Sequence, residues 1–230
     1  MRSHDSMSMN TQAPTMRNDR QEVILHVAER QFADHGFHAV ALRQIAEAAG
    51  VPLALVGYYF GRKHDLFNAI FAHRRHWHLD RLAELDDARR HAQHPSGLQR
   101  IVEAFALPLL QLRQQPATAA YARLLARELL LASPESALAL REGFEPLVQR
   151  FMDALHAALP TAGHADLAWA CQFTLGAVGL HLRDERIERL SQGRVRAHDA
   201  AAAQPLVRYL VGGLRAAMVD AKSDERRHAR

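Results

Sequence analysis

The apolar positions of the chain recur with helical spacing. Between Arg20 and Asp34, Leu25, Ala28 and Phe32 fall at i, i+3 and i+7 with Ile24 alongside, giving one stripe on a helix that Gly36 stops before Phe37 re-enters the core. Leu42, Ile45 and Ala49 predict a short second helix over 42–49, and Gly50 and Val51 then demand a turn. Pro52 suits the first position of a third helix, where its missing N–H costs nothing, and Gly61 ends that helix after Phe60. A fourth helix is expected from near His64 to about His91.

Beyond Gly97 the apolar faces widen, and the pattern predicts helices over 98–114, 117–132, 135–159, 164–183 and 203–221. Pro116, Pro134 and Pro160 stand between segments, whereas Pro108 and Pro146 fall inside theirs and should kink or split them. A polar stretch from Asp184 to Asp199, with Gly193 inside it, separates the last two segments. Residues 1–18 hold few large apolar groups and read as a disordered arm, and 222–230 as a charged tail. The expected organisation is all-α: arm 1–18, three-helix head 19–63, larger helical body 64–221, tail 222–230.

Composition narrows the class. Of 230 residues 48% are apolar and 23% charged, which fits a soluble globular chain, and only twelve glycines and nine prolines argue against a sheet protein rich in tight turns. The lone Cys171 can close no intramolecular bridge, which fits a reducing compartment. Met1–Met16 is polar and interrupted by Pro14, with no secretory signal, and no run approaches eighteen consecutive apolar residues, so a cytoplasmic location without membrane attachment is expected. A net charge of +4 permits an anionic partner without arguing for one.

The informative stretch is LRQIAEAAGVPLALVGYYFGRK, Leu42 to Lys63. Ala46, Gly50 and Val56 supply what a helix-turn-helix needs: a small residue where two helices approach, a glycine able to take positive φ, and a branched group locking the second helix. Ile45, Val51 and Phe60 complete the core contacts.

With those residues in place, Ile24 to Phe67 resembles the TetR-type family of one-component transcriptional repressors, including the aromatic pair and the glycine, basic and lysine trio after the third helix. The resemblance implies a DNA-binding head and a helical body that binds ligand and dimerises, hence duplex DNA, a small-molecule effector and a second copy of the chain as partners. It places the third helix in the major groove, with Pro52 opening it and Leu53, Ala54, Gly57, Tyr58 and Tyr59 on or near its exposed side. That helix carries no arginine, asparagine or glutamine, so readout there rests on thymine methyls and tyrosine hydroxyls, and Arg43 on the second helix is the candidate for guanine. Lys63 matches the family lysine that meets phosphate. Two positions depart from the pattern. Ala41 replaces a frequent Ser or Thr cap, at a cost of roughly 1 kcal/mol, and Gly57 stands where tyrosine is frequent.

Segments 164–183 and 203–221 are apolar around most of their circumference, through Trp169, Phe173, Leu175, Val178 and Leu182 on one and Leu206, Leu210, Val211, Leu214 and Met218 on the other. Helices of that kind bury both faces, either in a four-helix interface between two copies, with Gly176, Gly179, Gly212 and Gly213 allowing close approach, or at the centre of a monomeric bundle. The run Ala122 to Pro160 and the FTLGAVG segment resemble the subgroup of the family that includes regulators of fatty-acid metabolism. On that resemblance Arg123, Arg127 and His181 are candidates for a carboxylate or acyl-thioester head group, and Phe105, Trp169 and Phe173 for its chain.

Fifteen histidines raise a metal hypothesis, but their spacing opposes it. His73 and His76 share a face, as do His91 and His94, yet there is no HExxH, and the one Glu-x-x-His is Glu225 to His228 in the tail. No Walker loop, G-x-S-x-G elbow or catalytic cysteine setting occurs, so neither a metal, a cofactor nor an enzymatic activity is expected. Cys171, in an apolar helix, reads as packing, with a thiol sensor as its other reading. The competing functions are a helical protein or adaptor carrying a lipid-like ligand without binding DNA, and an all-helical metal enzyme.

Overall fold

The computed structural model describes the backbone of residues 13–131 and 133–228 and the side chains of 19–131 and 133–217. Within these residues the chain is a succession of helices: α1 Ala13–His35, α2 Leu42–Ala48, α3 Leu53–Phe60, α4 Lys63–Arg90, α5 Gly97–Gln114 and α6 Ala119–Leu131. There follow α7 Ala137–Gly143, α8 Glu145–Ala158, α9 His164–Arg183, α10 Arg186–Leu190, a 3-10 turn at Ala200–Ala202 and α11 Ala203–His228. No strand occurs among the described residues.

Four elements differ from the sequence expectation. Residues 1–12 of the expected arm lie outside the described residues, but α1 already starts at Ala13, with Pro14 in its first turn, where proline is tolerated. Helix α5 continues unsplit through Pro108, whereas segment 135–159 divides at its proline as expected, into α7 and α8 around Phe144, with Pro146 in the first turn of α8. The polar stretch after α9 contains the five-residue α10, too short to show a period. Helix α11 runs past residue 221, and the side chains of the tail and of Met218 lie outside the described set.

The head packs around Ile24, Ala28, Phe32, Ile45, Val56, Leu66 and Phe67, all fully buried. Phe37 closes it, stacked on Phe32 at 5.9 Å and edge-on to Phe67 at 5.1 Å. Helix α2 starts without a side-chain cap at Ala41, but Gln44 Oε1 accepts the Ala41 N–H at 2.7 Å. Asp65 and Asp166 do the same for the first turns of α4 and α9, each at 3.0 Å, so one device opens three helices. The end of α2 is a Schellman motif: Val51 N–H donates to Ala46 O and Gly50 N–H to Glu47 O, with Gly50 at φ +66. This motif turns the chain into α3.

In the body α4 packs on α5 and α8, and α6 lies between α9 and α1. Helices α4 and α6 therefore connect the body to the head. A buried polar cluster sits at that junction. Arg74 donates through Nε and Nη2 to the Glu29 carboxylate at 3.0 and 3.2 Å and to Ala117 O at 3.1 Å. Beside it His78 Nε2 and Tyr121 Oη are 2.6 Å apart. Burial raises the Glu29 carboxyl and the Tyr121 phenol from their ordinary values, Arg74 opposing both, and lowers His78 to about 4.

Candidate nucleic-acid interface

Pro52 caps α3 and accepts the Leu55 N–H at 2.9 Å, so the helix begins at Leu53, one residue later than expected. Its residues then divide by helical phase. Val56 is 0% exposed and lies where α3 packs on α2 and α4, with Tyr59 and Phe60 half-buried beside it. Leu53, Ala54, Gly57 and Tyr58 occupy the opposite face, spaced i, i+1, i+4 and i+5, and Tyr58 is 71% exposed. The tyrosine pair is thus split: Tyr58 projects outward, while Tyr59 packs against the head core, with 5.4 Å between the rings. Tyr59, expected on or near the exposed side, lies half-buried at the edge of that face, because a step of one residue rotates the side chain about 100°.

Gly57 serves no internal packing. A Cβ built there meets nothing within 4 Å, and its φ is not in the left-handed region. The outer face of α3 consequently has a gap in its middle, between Leu53 and Tyr58. Arg43, exposed on α2, pairs with Glu47 at 3.0 Å across one helical turn. Such a surface pair is worth little, so the guanidinium can exchange partners cheaply.

Lys63 is placed differently from expectation. Its ammonium donates to Phe37 O and Val40 O, each at 3.0 Å, and lies 4.4 Å over the Phe37 ring. Two of its three protons thereby close the α1–α2 loop against the start of α4, and one remains for any phosphate. The exposed basic residue at this end of α3 is Arg62, which follows Gly61 at φ +74. Only the middle position of the glycine, basic and lysine trio could have pointed to it.

The six effector candidates are not gathered around one cavity. Phe105 is buried and stacked on Phe151 at 4.1 Å, within a closed core. Arg123 reaches out of the body to Asp34 of α1 at 2.7 Å, and Arg127 lies with its guanidinium against Gly36 at the end of the same helix. These two arginines hold the head rather than a pocket wall. Trp169 and Phe173 stack at 5.7 Å on the outer face of α9, where Phe173 is 62% exposed. They line a groove of about 690 Å³ with Leu180 of α9 and with Tyr209 and Gly213 of α11. His181 faces an adjoining cleft of about 720 Å³ formed with the 184–199 segment. The expectation of one shared pocket fails because α6 turns its arginines toward α1 and α9 turns its aromatic residues outward.

Cys171 is buried, and burial pushes its thiol up to about 12, which suppresses thiolate chemistry near neutrality. Among the described residues no group of three His, Cys, Asp or Glu could hold a metal ion. No described helix is long and apolar enough to cross a membrane.

Two family models match the chain. Residues 24–70 match the bacterial regulatory proteins of the tetR family, and residues 103–213 match the tetracyclin repressor-like C-terminal domain. No curated protein sequence matches. Among solved structures, HlyIIR, a hemolysin II transcriptional regulator, is similar at a TM-score of 0.58 and 15% identity, over 85% of this chain and 98% of that one. The fatty acid degradation regulator FadR from Bacillus halodurans gives 0.56 and 20%, over 85% and 96%. FadR from Bacillus subtilis, solved with stearoyl-CoA, gives 0.53 and 18%, over 84% and 98%. A helix-turn-helix head followed by a ligand-binding-type helical body, each matched by its own model, makes this chain a member of the TetR family of transcriptional regulators.

Proposed function

We propose that the protein is a ligand-responsive repressor that binds a palindromic operator in the cytoplasm as a homodimer. The head, 19–63, reads DNA, and the body, 64–221, binds effector and pairs with a second copy. The observation that carries this reading is the outward face of α3. Leu53, Ala54 and Tyr58 form an apolar and aromatic surface that the protomer leaves uncovered, held rigid by the fully buried Val56 behind it. In a major groove these groups meet thymine methyls and the tyrosine hydroxyl meets a base edge, while Arg43 leaves Glu47 for a guanine or a phosphate.

Dimerisation is assigned to the exposed faces of α9 and α11. Trp169, Phe173 and Tyr209 form an apolar surface too large for water to cover cheaply, and Gly176 and Gly213 beside them let a second backbone approach. Two-fold pairing there sets two heads on one side of a duplex, about 34–36 Å or a little more apart.

For the effector we infer an apolar, acyl-type molecule, with the stearoyl-CoA bound by one FadR relative as support. The core around Phe105 and Phe151 is closed, so such a molecule enters by parting body helices. Because α6 touches both α9 and α1, parting them bears on Arg123–Asp34 and on head position. A hundredfold change in operator affinity requires about 2.7 kcal/mol of differential binding.

The test is titration of labelled DNA from the chain's own upstream region, followed by fluorescence anisotropy at several salt concentrations. Salt-sensitive specific binding that Tyr58→Ala weakens about tenfold or more supports the reading. Binding to all sequences alike, or none, transfers the protein to the class of ligand carriers and adaptors.

A further inference from the structure

The surface of α9 does not end at the groove beside α11. Ala177 and Leu180 line both that groove and the cleft formed by the 184–199 segment, so one apolar surface runs from Trp169 past Leu180 to the segment itself. Within an otherwise polar sequence this segment shows solvent three large apolar side chains, Ile187, Leu190 and Val195, and Leu190 is 73% exposed. All three line the cleft.

The segment is a fixed platform. Helix α10 has only five residues, below the length at which a helix sustains itself. It is held instead by Ala197 N–H donating to Glu188 Oε1 at 3.0 Å and by His198 Nδ1 lying 2.8 Å from His181 O, at the end of α9. Gln192 and His198 adopt φ of 55° and 60°, a conformation that non-glycine residues keep only where their surroundings impose it. From Asp184 to Asp199 the charges balance: Arg186, Arg189, Arg194 and Arg196 against Asp184, Glu185, Glu188 and Asp199. A nucleic acid or anionic ligand would meet as many carboxylates as guanidiniums, whereas a second copy of the segment brings charges of both signs in equal number and an apolar surface to match.

We propose that the 184–199 segment is part of the dimer contact, and that its cleft, continuous with the α9–α11 groove, is closed by a second copy of this chain. The proposal rests on α9 and α11 forming the dimer face. It adds that the segment, rather than those two helices alone, sets the tightness of pairing. Two-fold symmetry presents each side chain of the interface twice, so a charge placed at Leu190 acts in both halves.

The experiment is sedimentation equilibrium of the full chain for the parent protein, Leu190→Glu, Ile187→Glu, the milder Leu190→Ser, and Phe173→Glu, with circular dichroism verifying that each is folded. The expected result is a dimer dissociation constant raised about tenfold or more by either segment glutamate, less by serine, and most by Phe173→Glu. Segment variants that pair as tightly as the parent while Phe173→Glu is monomeric would overturn the proposal and leave the dimer face standing. Unchanged pairing in all four variants would remove both. The probe 8-anilinonaphthalene-1-sulfonate separates the other occupant: dye bound to the parent dimer and lost in Leu190→Glu at unchanged pairing assigns the cleft to a small amphiphile and overturns the proposal.

Discussion

The Lys63 ammonium donates to the carbonyl of Val40 at 3.0 Å, bridging the end of the α1–α2 loop to the first turn of α4. With its second bond, to Phe37 O, and the Phe37 ring beneath it, the side chain fixes where α2 begins relative to α4, and through α2 the seat of α3. A lysine matched to a phosphate-binding position is here first a brace of the head.

This makes a prediction that a phosphate ligand would not share. Lys63→Met removes two charge-assisted hydrogen bonds from a half-buried site and should lower stability by about 2 kcal/mol in urea denaturation. Under conditions where the variant is folded, the slope of log K against log salt should match the parent, whereas loss of a phosphate contact in each protomer reduces it by about 2.

How much of this was legible in the sequence depends on whether a signal was local. Ala46, Gly50 and Val56 announced the turn because a Schellman motif and a locked helix need those residue types at that spacing, and the structure uses all three as read. The bond that occupies Lys63 spans 23 residues, and the ion pair that occupies Arg123 spans 89; neither leaves a local pattern. Trp169 and Phe173 fit both a dimer helix and a pocket lining in the sequence, since periodicity places residues on a common face without saying whether that face meets its own chain, a ligand or a second copy.

His78 supplies a pH dependence with a definite sign. In the folded protein it is held to about 4, while in the unfolded chain it titrates near the ordinary histidine value of about 6.5. Between those values the unfolded state binds the extra proton, so stability is full above about 6.5 and falls as pH drops toward 4, by about 3 kcal/mol in all. His73, His181 and His198 are also lowered by burial and act in the same direction. Urea midpoints measured from pH 7 to pH 4 should show this loss, and His78→Gln should flatten most of it relative to its own value at pH 7.

Gly57 predicts opposite signs for folding and for DNA binding. An added methyl meets no protein atom and replaces the least favourable ordinary residue of a helix interior, so Gly57→Ala should raise stability by up to about 1 kcal/mol. The same methyl fills the gap between Leu53 and Tyr58 on the outer face. If operator approaches the backbone there, affinity falls as melting temperature rises. Parallel gains in both would mean that the gap faces no base.

Gly36 and Arg127 give the last prediction, on the joint between head and body. Gly36 ends α1 at φ +82, and its missing side chain leaves the space occupied by the Arg127 guanidinium of α6. Gly36→Ala should therefore carry two separable costs: about 1 kcal/mol for a left-handed alanine, and a further penalty for displacing the arginine. Arg127→Ala alone loses packing at the junction, but in its presence the Gly36→Ala methyl has room. A double-mutant cycle by thermal or urea unfolding should show the pair less destabilised than the sum of the single changes, by about 1 kcal/mol. Strict additivity would place Arg127 away from Gly36 in solution and remove this contact from the coupling of α6 to α1.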